Sequence, residues 1–348
     1  MSAAERRRRL AAAVADHGAE AIYVSDLVNV RYLTGFTGSN GALLVRADGS
    51  AVFFTDGRYR DQAATELPDV ECVVVRGMLE EARGRVDGPL LAETHLLAVD
   101  DWERLGRPSS GGRLVERLRL TKDDAEIDAL RRACAISTEA LRQLFDGPLI
   151  GRTERDIARD LGSRMLDLGA EDRAFDSIVA TGPHAAIPHH RPTERVTSRG
   201  DLLKIDFGAR VDGYHADCTR TVALGPAADW QREIYEAVRA SQAAGAASLR
   251  AGTPFSAIHA AATDVLADAG WLNAFTTGLG HGVGLQIHED PFIAASGSSR
   301  LTQRTVLTME PGIYLPGRGG VRIEDTVLVT DAAPEALTTM TTDLMEIA

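Results

Sequence analysis

The chain has 348 residues, a net charge of −12, and 44% hydrophobic and 25% charged residues. That length exceeds the usual size of one core, so two domains are expected. The acidic excess excludes a non-specific nucleic-acid binder, whose phosphate affinity needs clustered Lys and Arg.

The N-terminus, with four arginines ahead of LAAAVA, imitates a secretory leader, but the apolar run is too short and ends at Asp16. An amphipathic helix over about residues 5–17, closed near Gly18, is expected instead. No run approaches the roughly 20 apolar residues that cross a bilayer. Three scattered cysteines, Cys72, Cys134 and Cys218, form neither a disulfide framework nor a CxxC site, which favours a reducing compartment. A soluble, cytoplasmic protein with no membrane partner is expected, with Cys218 a small packed residue.

Strand-like AIYV, GALLV and AVFFT follow, the last two joined by a turn around Asp48-Gly49. A helix at about 58–66, then ECVVV and short segments at PLLAE and HLLAV, complete the texture of a small α/β domain. GRPSSGG (106–112) is loop-like, and the boundary is placed at 118, giving domains 1–118 and 119–348. Over 121–145, Ile127, Leu130, Ala133, Cys134, Ser137, Leu141 and Leu144 recur at helical spacing behind an acidic first turn. A helix over 153–169 stops at Gly169. Strands then dominate (SIVATG, 202–225 and 305–330), interrupted by helices at about 229–249 and 255–270. The fold class is therefore α+β.

The chemistry begins at KIDFGARVDGYHADCTRT. With Asp212-Gly213 at the centre of a two-residue turn, Asp206 lies opposite Thr219, and Asp217 is its diagonal neighbour on the same face, on the order of 7 Å away. Two carboxylates on one face either form a solvated acidic surface or hold a cation between them. Apolar neighbours Ile205, Phe207, Val211 and Val222 favour the second. Glu310 in LTMEPGIY and Glu324 in VRIEDTVLV add two carboxylates on strand-like segments. His281 lies in GLGHGVGLQIHEDP, where the missing side chains leave room for a bulky group. Val283 occupies the place of the third glycine of GxGxxG, so this is no phosphate loop. One imidazole and four carboxylates suit two divalent cations, Mn²⁺ first, with Co²⁺, Fe²⁺ or Zn²⁺ as alternatives. Such a pair holds a bridging hydroxide and polarises a carbonyl, the recipe for amide hydrolysis.

KIDFGARVDGYHADCTRT, GLGHGVGLQIHE, TMEPGIY and VRIEDT, in this order, closely resemble the M24 metallopeptidases of the pita-bread fold. VRYLTGFTGSNGALLV and FFTDGRYRDQA resemble the creatinase-type N-terminal domain of the aminopeptidase P and prolidase branch. The resemblance implies that Asp206 chelates one metal, that Asp217 and Glu324 bridge both, and that His281 and Glu310 hold the other. It implies that Glu310 shuttles the proton of the bridging water, that His189 lines the substrate pocket, and that His288 steadies the tetrahedral intermediate. Tyr314 and Arg322 are implied to support that intermediate and its network. His184 and His190 match nothing and are expected at the surface. Thr277 stands where many relatives carry a further histidine.

The resemblance implies a homodimer that cleaves the Xaa-Pro bond of proline-containing peptides. An aminopeptidase acting on longer peptides is favoured, with a dipeptidase as the alternative. A metal-free creatinase-like hydrolase and a non-catalytic pita-bread binding protein are remote, because relatives of those kinds lose ligands that this chain keeps.

Overall fold

The computed structural model describes residues 1–296 and 299–348. The chain divides into two compact units, Met1–Arg119 and Leu120–Ala348. In the first, strands β1 (Ala21–Val24), β2 (Ala42–Arg46), β3 (Ala51–Thr55), β4 (Glu71–Val74), β5 (Leu90–Ala92) and β6 (Ser109–Ser110) form one sheet. Their order is β4-β3-β2-β1-β5-β6, antiparallel at β1–β2 and β2–β3 and parallel elsewhere. Helices α1 (Ala3–Asp16), α2 (Leu27–Thr34), α3 (Arg60–Glu66), α4 (Met78–Arg83), α5 (Val99–Arg104) and α6 (Leu114–Arg119) connect and flank them.

The sheet core joins Tyr23, Leu44, Val52 and Phe54. The Asp48-Gly49 turn forms as expected, closed by Arg46 N–H donating to Ser50 O at 2.9 Å, with Gly49 at φ 90°. Two expectations fail here. HLLAV is no strand: Leu96 and Leu97 close turns back onto Glu93 O, and Val99 already opens α5. GRPSSGG, read as loop, carries β6.

The second unit opens with α7 (Asp124–Phe145), capped by a reciprocal pair in which Asp123 accepts from Glu126 N–H and Glu126 accepts from Asp123 N–H. All seven apolar-spaced positions of this helix are buried. Helix α8 (Glu154–Asp167) follows, with Thr153 as its cap and Gly169 beyond its end at φ 99°. Next come β7 (Asp172–Arg173), β8 (Ile178–Thr181), β9 (Leu202–Phe207), β10 (Ala209–Val211), β11 (Tyr214–His215) and β12 (Cys218–Leu224). Helices α9 (Asp229–Ala247) and α10 (Phe255–Asp268) precede β13 (His281–Gly282), β14 (Glu289–Phe292), β15 (Val306–Met309), β16 (Gly312–Leu315), β17 (Gly319–Arg322), β18 (Asp325–Leu328), β19 (Glu335–Ala336) and β20 (Glu346–Ile347).

These strands form sheets β20-β12-β9-β8, β11-β10-β7, β14-β13-β15-β18-β19 and β16-β17. Leu203, Ile205 and Phe207 of β9 pack with Leu141, Ile157 and Leu161 of α7 and α8. That packing covers one face of the β9–β12 ladder; on the other face Leu202 and Ala223 pack with Ile234 and Val238 of α9, and Lys204, Asp206, Thr219 and Thr221 supply polar side chains. No described helix is long and apolar enough to cross a membrane.

Candidate metal centre

The hairpin forms in the expected register. Asp206 pairs with Thr219 and Phe207 with Cys218, and the same register resumes at Arg210↔His215 and Val211↔Tyr214. Asp212 (φ 52°) and Gly213 (φ 82°) both adopt the left-handed backbone of a two-residue hairpin turn. Between the two halves of the hairpin the chain passes Gly208, where a Cβ would stand 1.8 Å from Ala216 O. Only glycine permits that approach.

The other donors differ from the expectation that each lies on a strand. Asp217 sits in the break between β11 and β12, Glu310 between β15 and β16, and Glu324 between β17 and β18. His281 occupies a two-residue strand whose register with β14 shifts at His281/Gly282. Interrupted pairing re-aims side chains, and here it turns donors from two sheets toward one cavity. Glu324 is pinned to the hairpin by an isolated bridge: its N–H donates to Thr219 O at 3.1 Å.

Ligand atoms of Asp217, His281 and Glu324 lie within 4.8 Å of one another. His281 Nε2 is 3.6 Å from Asp217 Oδ2 and 3.4 Å from Glu310 Oε1. Its Nδ1 is 3.0 Å from Gly282 O, so Nδ1 carries the proton and Nε2 keeps a free lone pair. Asp206 Oδ2 accepts from Arg322 Nη2 at 2.5 Å, while its buried Oδ1 has no partner among the described residues. Burial, then the neighbouring carboxylates, push Asp217 and Glu324 well above the usual carboxylate range. Burial raises Glu310 to about 7 against the opposing pull of Arg322, and burial lowers His281 to about 4. Four crowded carboxylates, an orphaned oxygen and an imidazole lone pair fit hard divalent cations, which would relieve both the repulsion and the orphan.

Asp206, Asp217, His281, Glu310, Glu324, Arg322, His189 and His288 all line one cavity of about 730 Å³. The His281 and His288 rings meet edge to face at 4.4 Å, and burial, then nearby His189, lower His288. Tyr314 does not line the cavity. Its hydroxyl accepts from Arg322 Nη1 at 2.9 Å, so it contacts a residue that lines the cavity rather than the cavity itself. Arg322 also donates through Nε to Thr219 Oγ1 at 3.0 Å. Thr277 Oγ1 is shielded and, among the described residues, has no partner in strict bonding geometry, its polar neighbour being the Tyr314 hydroxyl. Cys218 is buried with its thiol pushed well up, as a packed residue should be.

Two expectations are corrected. The glycines that flank His281, Gly280 and Gly282, do not clear space for a ligand. A Cβ at Gly280 would stand 2.1 Å from Thr308 O, and one at Gly282 2.3 Å from Asp290 O. They admit neighbouring backbone instead. His190 is not at the surface either: it is buried, and its Nε2 lies 2.8 Å from Glu154 Oε2, with His184 Nδ1 2.9 Å from Oε1. Thr181 N–H and Thr193 N–H and hydroxyl also donate to Glu154, which explains why a buried glutamate collects both rings. The TER run at 153–155 is an ordinary helix start in sequence, so only its hydrogen-bonding was hidden.

The model of metallopeptidase family M24 matches residues 128–331, more than half of the chain. The chain belongs to this family. A second match, to the creatinase/prolidase N-terminal domain, covers residues 6–131. The M24 chain is 30% identical over 346 residues to the Xaa-Pro dipeptidase of Pyrococcus furiosus, covering 98% of this chain and 99% of the relative. Among solved structures it is similar to an Xaa-Pro dipeptidase from Bacillus anthracis, with TM-score 0.93, 34% identity and 99% of each chain covered. It is also similar to an X-Pro aminopeptidase from Thermotoga maritima, with TM-score 0.87, 31% identity and 95% and 98% covered. The chain is thus an M24 metallopeptidase with a creatinase-type N-terminal domain and a pita-bread catalytic domain.

Proposed function

We propose that the protein is an Xaa-Pro dipeptidase. The observation that carries this reading is the end-to-end likeness to proteins named Xaa-Pro dipeptidase, combined with a donor set that fits divalent cations. The aminopeptidase reading, favoured from the sequence, has weaker support: relatives bearing the dipeptidase name recur among both sequences and structures.

Asp206, Asp217, His281, Glu310 and Glu324 would hold two divalent ions, with Mn²⁺ our assignment for an oxygen-rich set carrying one imidazole. When bound, such ions lower the pKa of water and polarise the scissile carbonyl. Glu310 borders the cavity and is the group we assign to carry the proton from water to the leaving imino nitrogen. His288 and His189 face the same cavity and would donate to the carbonyl oxygen as charge develops there. Arg322 holds Asp206 and Thr219, and Tyr314 holds Arg322; both are positioning residues. A cytoplasmic homodimer is the state expected of the enzyme, and light scattering tests the stoichiometry.

The test compares hydrolysis of Ala-Pro with Ala-Pro-Ala in Mn²⁺ and in Zn²⁺. A dipeptidase cleaves the first far faster than the second. Equal turnover of both would return the assignment to the aminopeptidase, and turnover of neither would refute proline specificity.

A further inference from the structure

The cavity has two electrical ends. Its floor carries the buried carboxylates Asp206, Asp217, Glu310 and Glu324, and its mouth is lined by Arg155 and Arg159 of α8, Arg173 of β7 and Arg191. All four arginines are exposed. Three of them already have acidic neighbours: Arg155 is 2.5 Å from Glu194, Arg159 is 3.2 Å from Asp156, and Arg173 is 3.7 Å from Asp176. Arg191 has no hydrogen-bond or ion-pair partner among the described residues. It follows His190, whose anchoring on buried Glu154 fixes the loop that presents it.

An Xaa-Pro dipeptide is itself a dipole. Its carboxylate lies one residue, about 3.5 Å of chain, beyond the scissile bond, so it remains inside a cavity of this size. Phe175 and Ile287 also line the cavity and offer apolar wall for the proline ring. We infer that Arg191, within this arginine rim, is the specificity-determining group that receives the free α-carboxylate of the dipeptide. The inference rests on the dipeptidase reading and deepens it. A free guanidinium is a fork of donors matched to a carboxylate, and a carboxamide in the same place forfeits the charge-assisted pair. A longer peptide puts neutral backbone at that point and gains nothing from the rim.

The test is the ratio of kcat/KM for Ala-Pro to that for Ala-Pro-amide in wild-type enzyme, R191A and R191E. The wild type should favour the free acid, and R191A should lower the ratio about tenfold, carried by KM for the acid. R191E should lower it further, because the reversed charge repels the carboxylate. An exposed side chain without partners is replaceable without loss of fold, and circular dichroism of each variant verifies this. A ratio unchanged across the three proteins overturns the assignment of Arg191 while leaving proline-specific cleavage intact. Failure of the wild type to hydrolyse either compound overturns that underlying activity and the assignment together.

Discussion

Thr219 Oγ1 donates to Glu324 Oε2 at 2.6 Å, in the strand pair where Thr219 also faces Asp206 across the ladder. The same hydroxyl accepts from Arg322 Nε. One small side chain therefore ties two charged groups of the centre together, and Arg322 in turn holds Asp206. Thr219→Val keeps the shape and removes the hydroxyl that joins Glu324 to Arg322. The expected result is a loss of metal affinity of roughly 10–100-fold, as when a partner that orients a ligand is removed. Calorimetric titration of the stripped variant with Mn²⁺ measures it. Affinity equal to wild type would remove Thr219 from the network.

Behind the same strands lies a fully buried ion pair. Arg220 Nη2 donates to Asp325 Oδ1 at 2.6 Å, and the guanidinium also donates to the carbonyls of Glu324, Met340 and Thr341. Gln242 and Thr338 complete the bonding of Asp325. Arg220→Met leaves Asp325 without its cation in a buried site, a loss of about 3–5 kcal/mol. Urea unfolding of variant and wild type should show it, and a shift below 1 kcal/mol would contradict it.

The Glu154 cluster makes a pH prediction. Burial alone would raise this carboxyl, but donation from His190, Thr181 N–H and Thr193 outweighs it and holds the group at about 2. The folded value lies below the unfolded one, so the native state releases this proton more readily. Its stabilisation is complete above the ordinary carboxylate range and fades as pH falls toward 2. Glu154→Gln should therefore be less stable than wild type at neutral pH, with the gap in melting temperature closing on acidification. A gap that is constant with pH would assign the effect to packing alone.

Thr277 offers an opposite kind of test. Its Oγ1 is shielded and has no partner in strict hydrogen-bond geometry among the described residues, and its polar neighbour is the Tyr314 hydroxyl, whose pKa it helps to hold down. Thr277→Val gives up only that weak contact and should change stability by no more than about 1 kcal/mol. Thermal unfolding measures this. Thr277→His is expected to change kcat on Ala-Pro, since an imidazole there exchanges protons beside the Tyr314 hydroxyl, and steady-state kinetics reads the effect.

The parts of the fold that were legible in sequence are those with local causes. Asp212-Gly213 sets the hairpin and thereby the Asp206↔Thr219 register. The acidic start and apolar spacing of 124–145 specify α7. Helix α2 was missed although Asp26 caps it and Gly35 ends it in the left-handed region, because LVNVRYLT mixes β-branched residues with helix formers. Non-local features were hidden for a different reason. Nothing near Glu154 in the chain reveals that residues 181–193 fold back onto it, and Arg220 and Asp325 meet only when β12 and β18 are both in place. The glycines beside His281 were visible, but what crowds them belongs to Thr308 and Asp290.

Asp206, Asp217, His281, Glu310 and Glu324 are proposed to form one metal-dependent hydrolytic centre. The most direct measurement is Ala-Pro hydrolysis by chelator-stripped enzyme as Mn²⁺ is added back, with Asp217→Asn alongside. The stripped protein should show no turnover, the wild type should recover it with added metal, and Asp217→Asn should show none at any metal concentration. Full turnover by the stripped enzyme, or by Asp217→Asn, would contradict it.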